Sequence, residues 1–240
     1  MSDALVHCFF SPHPDDIAFS AMGSLLQIPN SVQKILVTVF SQSCWTFLKA
    51  PQVDQWQEVT ALRAKEDQQF ADRFGFGYVN LSLSDSSLRY SHGQEYMIIP
   101  TDDPVFQEAM NHAEQLMAQL PDDTFYYIPL GIGGHVDHLI VRTMITKLCS
   151  NIDRLQFYED LPYAYHHSDT EIKAIAKSID NHLEAQLIDM EKFWSEKTRS
   201  IHIYSSQLEP HTYQRIEAYA SRIGTNGRKA ERFWSVGNVK

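Results

Sequence analysis

Hydrophobic and polar positions fall along this chain in blocks whose period switches between that of a strand and that of a helix. Residues 4–10 form a short apolar, aromatic-rich run that stops at Ser11-Pro12, the pattern of a buried strand entering a turn. Residues 17–26 carry apolar side chains at helical spacing, and residues 34–40 (KILVTVF) are β-branched and apolar, a second strand. Strand, helix, strand is the opening of a parallel sheet. The charged, amphipathic stretch 58–74 closes at Gly75, as a helix with a glycine stop does, and residues 78–83 predict a third strand. A helix over 104–120, a fourth strand over 125–129, a glycine-rich loop over 131–134 and a helix over 136–148 follow. Residues 155–158 predict a fifth strand, and 183–204 reads as mostly helical, with an aromatic and aliphatic face for the sheet. The alternation runs almost to Val236 and predicts an α/β fold, a doubly wound, mostly parallel sheet with ligands at the carboxyl ends of its strands. No repeat, low-complexity tract or linker divides it, so residues 1–240 read as a single domain.

Composition narrows the function without choosing it. Hydrophobic residues at 43% and charged residues at 21% match an ordinary globular chain with a packed core. The net charge of −10 (30 acidic against 20 basic side chains), with no Lys/Arg-rich run, repels phosphate backbones and anionic membranes, so nucleic acid is not an expected partner. No stretch approaches the roughly 20 apolar residues of a membrane-spanning helix. Residues 1–10 lack the basic n-region of a secretory signal. Cys8, Cys44 and Cys149 are far apart, without Cys-x-x-Cys spacing; neither a disulfide framework nor a thiolate zinc site is expected, and a reducing cytoplasm fits best. A homo-oligomer is compatible with the sequence, which does not decide the point.

Metal-compatible side chains concentrate in two places, His13-Pro14-Asp15-Asp16 after the first strand and His135-Val136-Asp137-His138 after the fourth. Strand-to-helix loops of a parallel sheet share one edge, so residues this remote in sequence converge on one point. Catalytic zinc takes three nitrogen or oxygen ligands and leaves a position for water, a set that two histidines and one aspartate satisfy. The water still needs a base and the scissile carbonyl an electrophilic group, for which Asp15 and His135 are the candidates. Asp137 is placed to accept a hydrogen bond from the His135 ring and favour its imidazolium form. Singly, His-Pro-Asp is more often a turn with a helix-capping Asp.

Taken together the two motifs resemble those of the PIG-L/LmbE-like N-deacetylases, Pro/Ala-His-Pro-Asp-Asp and His-x-Asp-His. The likeness extends to residues 63–75 (RAKEDQQFADRFG), Asp85, Tyr158-Glu159, Tyr204-Ser205-Ser206-Gln207 and Ala230-Glu231-Arg232-Phe233, nearly the whole chain. It implies a Rossmann-like fold in which His13, Asp16 and His138 ligate zinc (or another divalent metal), Asp15 is the general base, and His135 is the electrophilic or acid histidine oriented by Asp137. It also implies hydrolysis of an N-acetyl group on an amino sugar or glycoconjugate such as an N-acetylglucosamine derivative, a small-molecule or glycan substrate. Ile17 departs from the glutamate common after the two aspartates. Ser41-Gln42-Ser43, and the aromatic Trp45, Phe47 and Trp56 beyond it, depart where a glycine-containing turn is usual, which puts specificity rather than reaction in question.

Asp85 and Arg89 lie in a polar loop after the third strand, on the same edge, and are candidates for binding sugar hydroxyls, or else members of a solvated loop with one helix cap or surface ion pair. Trp45, Phe47, Tyr90 and Tyr96 offer stacking faces for a sugar, or local packing. Residues 163–167 (YAYHH) read as loop surface. The 131–134 glycines follow no dinucleotide fingerprint, and serve instead to let the backbone approach the pocket with positive φ. Two other functions compete: a catalytically silent sugar-binding protein with this fold, and a phosphoesterase, which would want a two-metal carboxylate site.

Overall fold

The computed structural model describes residues 5–50 and 52–237; Ala4, the first residue of the expected initial strand, lies outside them. Seven strands, β1 (Val6–Ser11), β2 (Gln33–Thr38), β3 (Gly77–Asn80), β4 (Phe125–Pro129), β5 (Leu155–Tyr158), β6 (Leu183–Asp189) and β7 (Ala230–Val236), form one sheet in the order β3-β2-β1-β4-β5-β7-β6. Its helices are α1 (Asp16–Ser20), α2 (Met22–Gln27), α3 (Trp56–Phe74), α4 (Ser86–Arg89), α5 (Phe106–Met117), α6 (Val136–Leu148), α7 (Asp169–Ile179), α8 (Trp194–Ile203) and α9 (Thr212–Ile223). Strands β1 to β5 are mutually parallel; β7 runs antiparallel to both β5 and β6. Parallel strands are covered on both faces, which is why the interior of β1 and β2 is almost continuously buried and both read as unbroken apolar runs. The order reverses between β1 and β4. The chain therefore leaves these neighbouring strands in opposite lateral directions and opens a crevice at their carboxyl ends.

The helix α3 ends as its sequence demands, at Gly75 in the left-handed region (φ 66°). Its acidic face then pins the 204–207 segment. The Asp67 carboxylate accepts hydrogen bonds from Thr38, Tyr78 and Tyr204, and Glu66 accepts from the Ser206 amide (2.9 Å) and hydroxyl (2.6 Å). In the same way Glu159, just past β5, accepts from Arg232 Nε (2.6 Å), Trp234 Nε1 (2.8 Å) and the Tyr219 hydroxyl.

Two expectations need correction. Residues 183–204 are not one helix: 183–189 is the edge strand β6 and only Trp194–Ile203 is helical. The spacing of Leu183 and Leu187 suits a helix, but seven consecutive pairings with β7 satisfy the backbone better, and an edge strand needs only one buried face. The helix expected over 17–26 is broken at Ala21 into α1 and α2. An unbroken helix would join the Gly23 amide to the Phe19 carbonyl. Here Gly23 N donates instead to Glu231 Oε2 (2.5 Å), Lys197 Nζ donates to Phe19 O (2.5 Å), and Lys197 and Glu231 pair with each other, both buried. A Cβ at Gly23 would lie 2.8 Å from Met190 Sδ and 2.9 Å from Glu231 Oε2, so only glycine admits this approach. Among the described residues no helix is long and apolar enough to cross a membrane.

Candidate active site

The turn after β1 carries His13 to Asp16. The His13 amide donates to Asp16 Oδ2 (2.7 Å), closing the turn, and Asp15 sits at the head of α1 with φ 110°, a conformation costing a non-glycine residue about 1–3 kcal/mol. The loop after β4 bends through Gly131, Gly133 and Gly134, all at positive φ as expected, and a Cβ at Gly131 would meet Leu139 at 2.7 Å. It delivers His135 as the N-cap of α6, with Asp137 and His138 in the first turn.

The two loops meet. His13, Asp16 and His138 each offer a ligand atom, all within 4.8 Å of one another, and His13, His135 and Asp137 do the same. The hydrogen bonding separates these groups. His138 is 1% exposed; its Nδ1–H donates to Asp160 Oδ1 (2.6 Å), while its Nε2 is buried with no hydrogen-bond partner. That unpartnered nitrogen lies 3.5 Å from Asp16 Oδ1. In the second group both Asp137 oxygens already accept, from His13 Nε2 (2.8 Å), the Ser86 amide (2.9 Å) and Arg89 NH2 (2.7 Å). Both His135 nitrogens are also engaged. An orphaned imidazole nitrogen beside a carboxylate and a second imidazole fits a divalent cation, with Asp137 behind His13 and Asp160 behind His138 as orienting carboxylates.

The electrostatics suit such an occupant. Burial opposes charge on His13, yet the Asp137 and Asp16 carboxylates push its pKa up to about 10, so a proton stands where positive charge is wanted. Burial would raise Asp16, but the His138 and His13 imidazoles bring it down to about 2. Asp15 is pushed up to about 8, by burial and then by the Asp16 charge, against Arg63 and His13.

His135 departs from expectation. Its ring does not donate to the Asp137 carboxylate, from which Nδ1 is 4.0 Å away; Nδ1 instead accepts the Asp137 backbone amide (3.3 Å). At the N-cap the ring folds over the first turn of the helix, while the side chain two residues on projects toward α4. Nor is the imidazolium favoured. Burial, only partly offset by Asp137 and reinforced by His13 and His138, brings its pKa down to about 3. With Nδ1 an acceptor, the neutral ring carries its proton on Nε2, 3.1 Å from Ser86 Oγ.

His13, Asp16, His135 and His138 line a cleft of ≈ 850 Å³, together with Asp15, Asp85, Trp45, Phe47, Tyr90 and Tyr96. Asp85 faces it, capping α4 through the Ser87 amide (3.0 Å) with Arg63 NH1 3.6 Å away. Arg89 does not line it. Its guanidinium is turned inward onto Ser84 O, Asp103 and Asp137 and lies over the Phe40 ring, because those buried acceptors need a cation. Of the 163–167 segment, read as surface, Tyr163 and His166 line the cleft, and Tyr163 packs edge-on to His138 (5.7 Å). Asp160 escaped the sequence reading. Its position two residues past β5, on the edge that carries both motifs, is the signal that marks it.

The profile of the PIG-L family, GlcNAc-PI de-N-acetylase, matches residues 8–149, more than half of the chain and the span that holds both motifs. A 2′-N-acetylparomamine deacetylase of Streptomyces fradiae is 26% identical over 232 residues, covering 95% of this chain and 81% of that protein. A deacetylase of the teicoplanin biosynthesis pathway superposes with a TM-score of 0.76 at 19% identity, covering 95% of this chain and 96% of the other. GalB, a 4-carboxy-2-hydroxymuconate hydratase of Pseudomonas putida KT2440, superposes at 0.65 with 12% identity over 98% of both chains; the fold alone leaves the reaction open.

Proposed function

From the premise that the chain belongs to the PIG-L family of GlcNAc-PI de-N-acetylases, we propose that it is a zinc-dependent hydrolase that removes an N-acetyl group from an amino sugar or glycoconjugate. The observation that carries this reading is the unpartnered His138 Nε2, converging with His13 and Asp16 on the wall of a cleft that also exposes the Asp15 carboxyl. His13, Asp16 and His138 would hold the ion, which supplies Lewis acidity, bringing the pKa of water from about 15.7 to about 7 and polarising a carbonyl oxygen.

The chain's own groups do the rest. The Asp15 carboxylate accepts no hydrogen bond among the described residues, so it is free to take the proton of the attacking water as the acyl carbon becomes tetrahedral. Neutral His135 serves as a hydrogen-bond donor to the developing oxyanion, exchanging Ser86 Oγ for that oxygen. The C–N bond then breaks, the proton held on Asp15 passes to the amine, and acetate and the free amino sugar leave. Arg89 fixes Asp137, Asp137 fixes His13, and Asp160 fixes His138, so three positioning residues keep the reacting groups in register. Asp85 is placed to accept a sugar hydroxyl from within the cleft. The test is acetate release from a panel of N-acetylated sugars, with and without chelator. Chelator-sensitive release is the expected result, and release that survives complete removal of metal overturns the zinc assignment.

A further inference from the structure

Among the described residues the buried carboxylates and those that line the cleft are matched to donors except two, Asp15, read above as the base, and Glu95. Glu95, in the short 3-10 turn Gln94–Tyr96, is 7% exposed and lines the cleft, yet accepts no hydrogen bond among the described residues. Apart from Asp15, every other buried carboxylate among the described residues accepts at least one backbone or side-chain donor: Asp103, for example, takes Arg89, Tyr90 and the Val105 amide. Among the described residues, the one basic group within 4.0 Å of the Glu95 carboxylate is His92, whose Nδ1 lies 3.4 Å from Oε1. That side chain is 78% exposed and stacked on Trp45, with ring centroids 5.6 Å apart, so it stands at the mouth of the cleft rather than covering the carboxylate.

The cations that could neutralise Glu95 from inside are already committed. Arg63 donates to Ser43 Oγ and Pro14 O and faces Asp85, while Arg215 pairs with Glu209 at 2.8 Å. A largely buried carboxylate whose oxygens face the cleft without a hydrogen-bond donor gains from any ligand that supplies one. It stands beside the reaction centre: the next residue, Tyr96, packs its ring edge-on against His135 at 5.7 Å. The group that best satisfies it is an N–H donor carrying positive charge, and Tyr96 and Trp45 add aromatic surface that favours a cation. The chain's net charge of −10 favours the approach of such a ligand.

We propose that Glu95 is a specificity determinant that binds a free ammonium group of the substrate, so that the preferred substrate is an N-acylated amino sugar bearing at least one further, unacylated amine. The proposal rests on the hydrolase reading above, and its test separates the two. The two N-monoacetylchitobioses are compared with N,N′-diacetylchitobiose, in which the remaining amine is also acetylated, with rates expressed per acetamide. The expected result is that at least one monoacetyl sugar is preferred by roughly 10- to 100-fold in kcat/KM, mainly through KM, and that E95Q abolishes this preference. Calorimetric binding of fully deacetylated chitobiose, a dication that needs no turnover, weakens by a similar factor in E95Q.

Hydrolysis of none of the sugars, with binding still sensitive to E95Q, counts against the hydrolase reading alone. Hydrolysis with an unchanged preference in E95Q, or a wild-type preference for the diacetyl sugar, overturns the ammonium site. So does unchanged chitobiose binding. The melting temperature of E95Q is expected at or above that of the wild type, because the Glu95 carboxylate accepts no internal hydrogen bond that the amide would lose; a clear drop reveals an internal partner for Glu95 and also overturns the proposal.

Discussion

The five-residue helix α1 has a buried polar cluster at each end, and the two are built from similar materials to opposite effect. At its C-terminal end Lys197 and Glu231 bond to each other and to the Phe19 carbonyl and Gly23 amide that the helix break releases, so donors and acceptors match. At its N-terminal end, Asp15 holds a strained backbone and an unbonded carboxyl, and His138 keeps an unpartnered nitrogen. Both ends bury charge. One end uses its charge within the protein and fixes the packing of α8 and β7 against α1; the other leaves capacity over, directed into a cleft. Burial and charge alone therefore do not mark a site, and neither does an unmatched atom such as His112 Nδ1 or Gln156 Nε2 away from the cleft; unmatched capacity that faces a cleft does.

Substitutions at the two ends should separate accordingly. The largest effect is expected for Asp15→Asn, a loss of roughly 10²- to 10⁴-fold in kcat with metal content and melting temperature nearly unchanged, since the carboxyl supports no internal contact. Wild-type turnover by this variant would sink the base assignment. Lys197→Met at the other end should leave kcat per folded molecule intact while lowering stability by about 3–5 kcal/mol, because Glu231 is left buried without its cation. Urea unfolding measures this, and a stable Lys197→Met variant that had lost metal would erase the distinction between the two ends.

A third substitution probes the boundary between them, since Asp160 does both jobs. It accepts the Gly131 and Ile132 amides (2.7 and 2.8 Å) and fixes the tautomer of His138. Asp160→Asn should reduce metal affinity by about 10- to 100-fold, with a smaller loss of stability, both read from metal competition and thermal melts of the same sample. Unaltered metal affinity would detach His138 from the cation site.

The metal-type residues were legible because both motifs follow strands of a parallel sheet, and that topology alone brings residues 13–16 and 135–138 together. The β-branched runs of β1, β2 and β4 and the glycine stop of α3 were legible for the same kind of reason, a local pattern that agrees with the tertiary role. What stayed hidden depends on partners distant in sequence. Residues 183–189 look helical until β7 is available to pair with them. Arg89 looks like a ligand-binding arginine until Asp103 and Asp137 claim it, and Asp160 is one carboxylate among many until the ring of His138 is placed beside it. The neutral state of His135 is likewise set by burial and by two other imidazoles, neither fact being local.

The smallest effect sharpens the comparison along a single strand, because β1 carries a histidine near its start and leads to another just past its end. His13, among carboxylates, is raised, whereas His7 is lowered to about 4, by burial and then by the charge of Lys34, its neighbour in the parallel ladder. It stacks between Phe125 and Tyr127 and bonds the Tyr127 hydroxyl through Nδ1 (2.9 Å). With its ordinary value at 6.5 in the unfolded chain, the unfolded state binds more protons at every pH between about 6.5 and about 4. The stability linked to a neutral His7 is therefore complete above pH 6.5 and declines as the pH falls toward 4. His7→Gln cannot titrate. Its melting temperature, lower than wild type at neutral pH through the lost stacking, should converge on the wild-type value as the solution is acidified through that window. Parallel melting curves at every pH would mean that His7 titrates alike in both states, and that the contrast between the two ends of β1 lies in His13 alone.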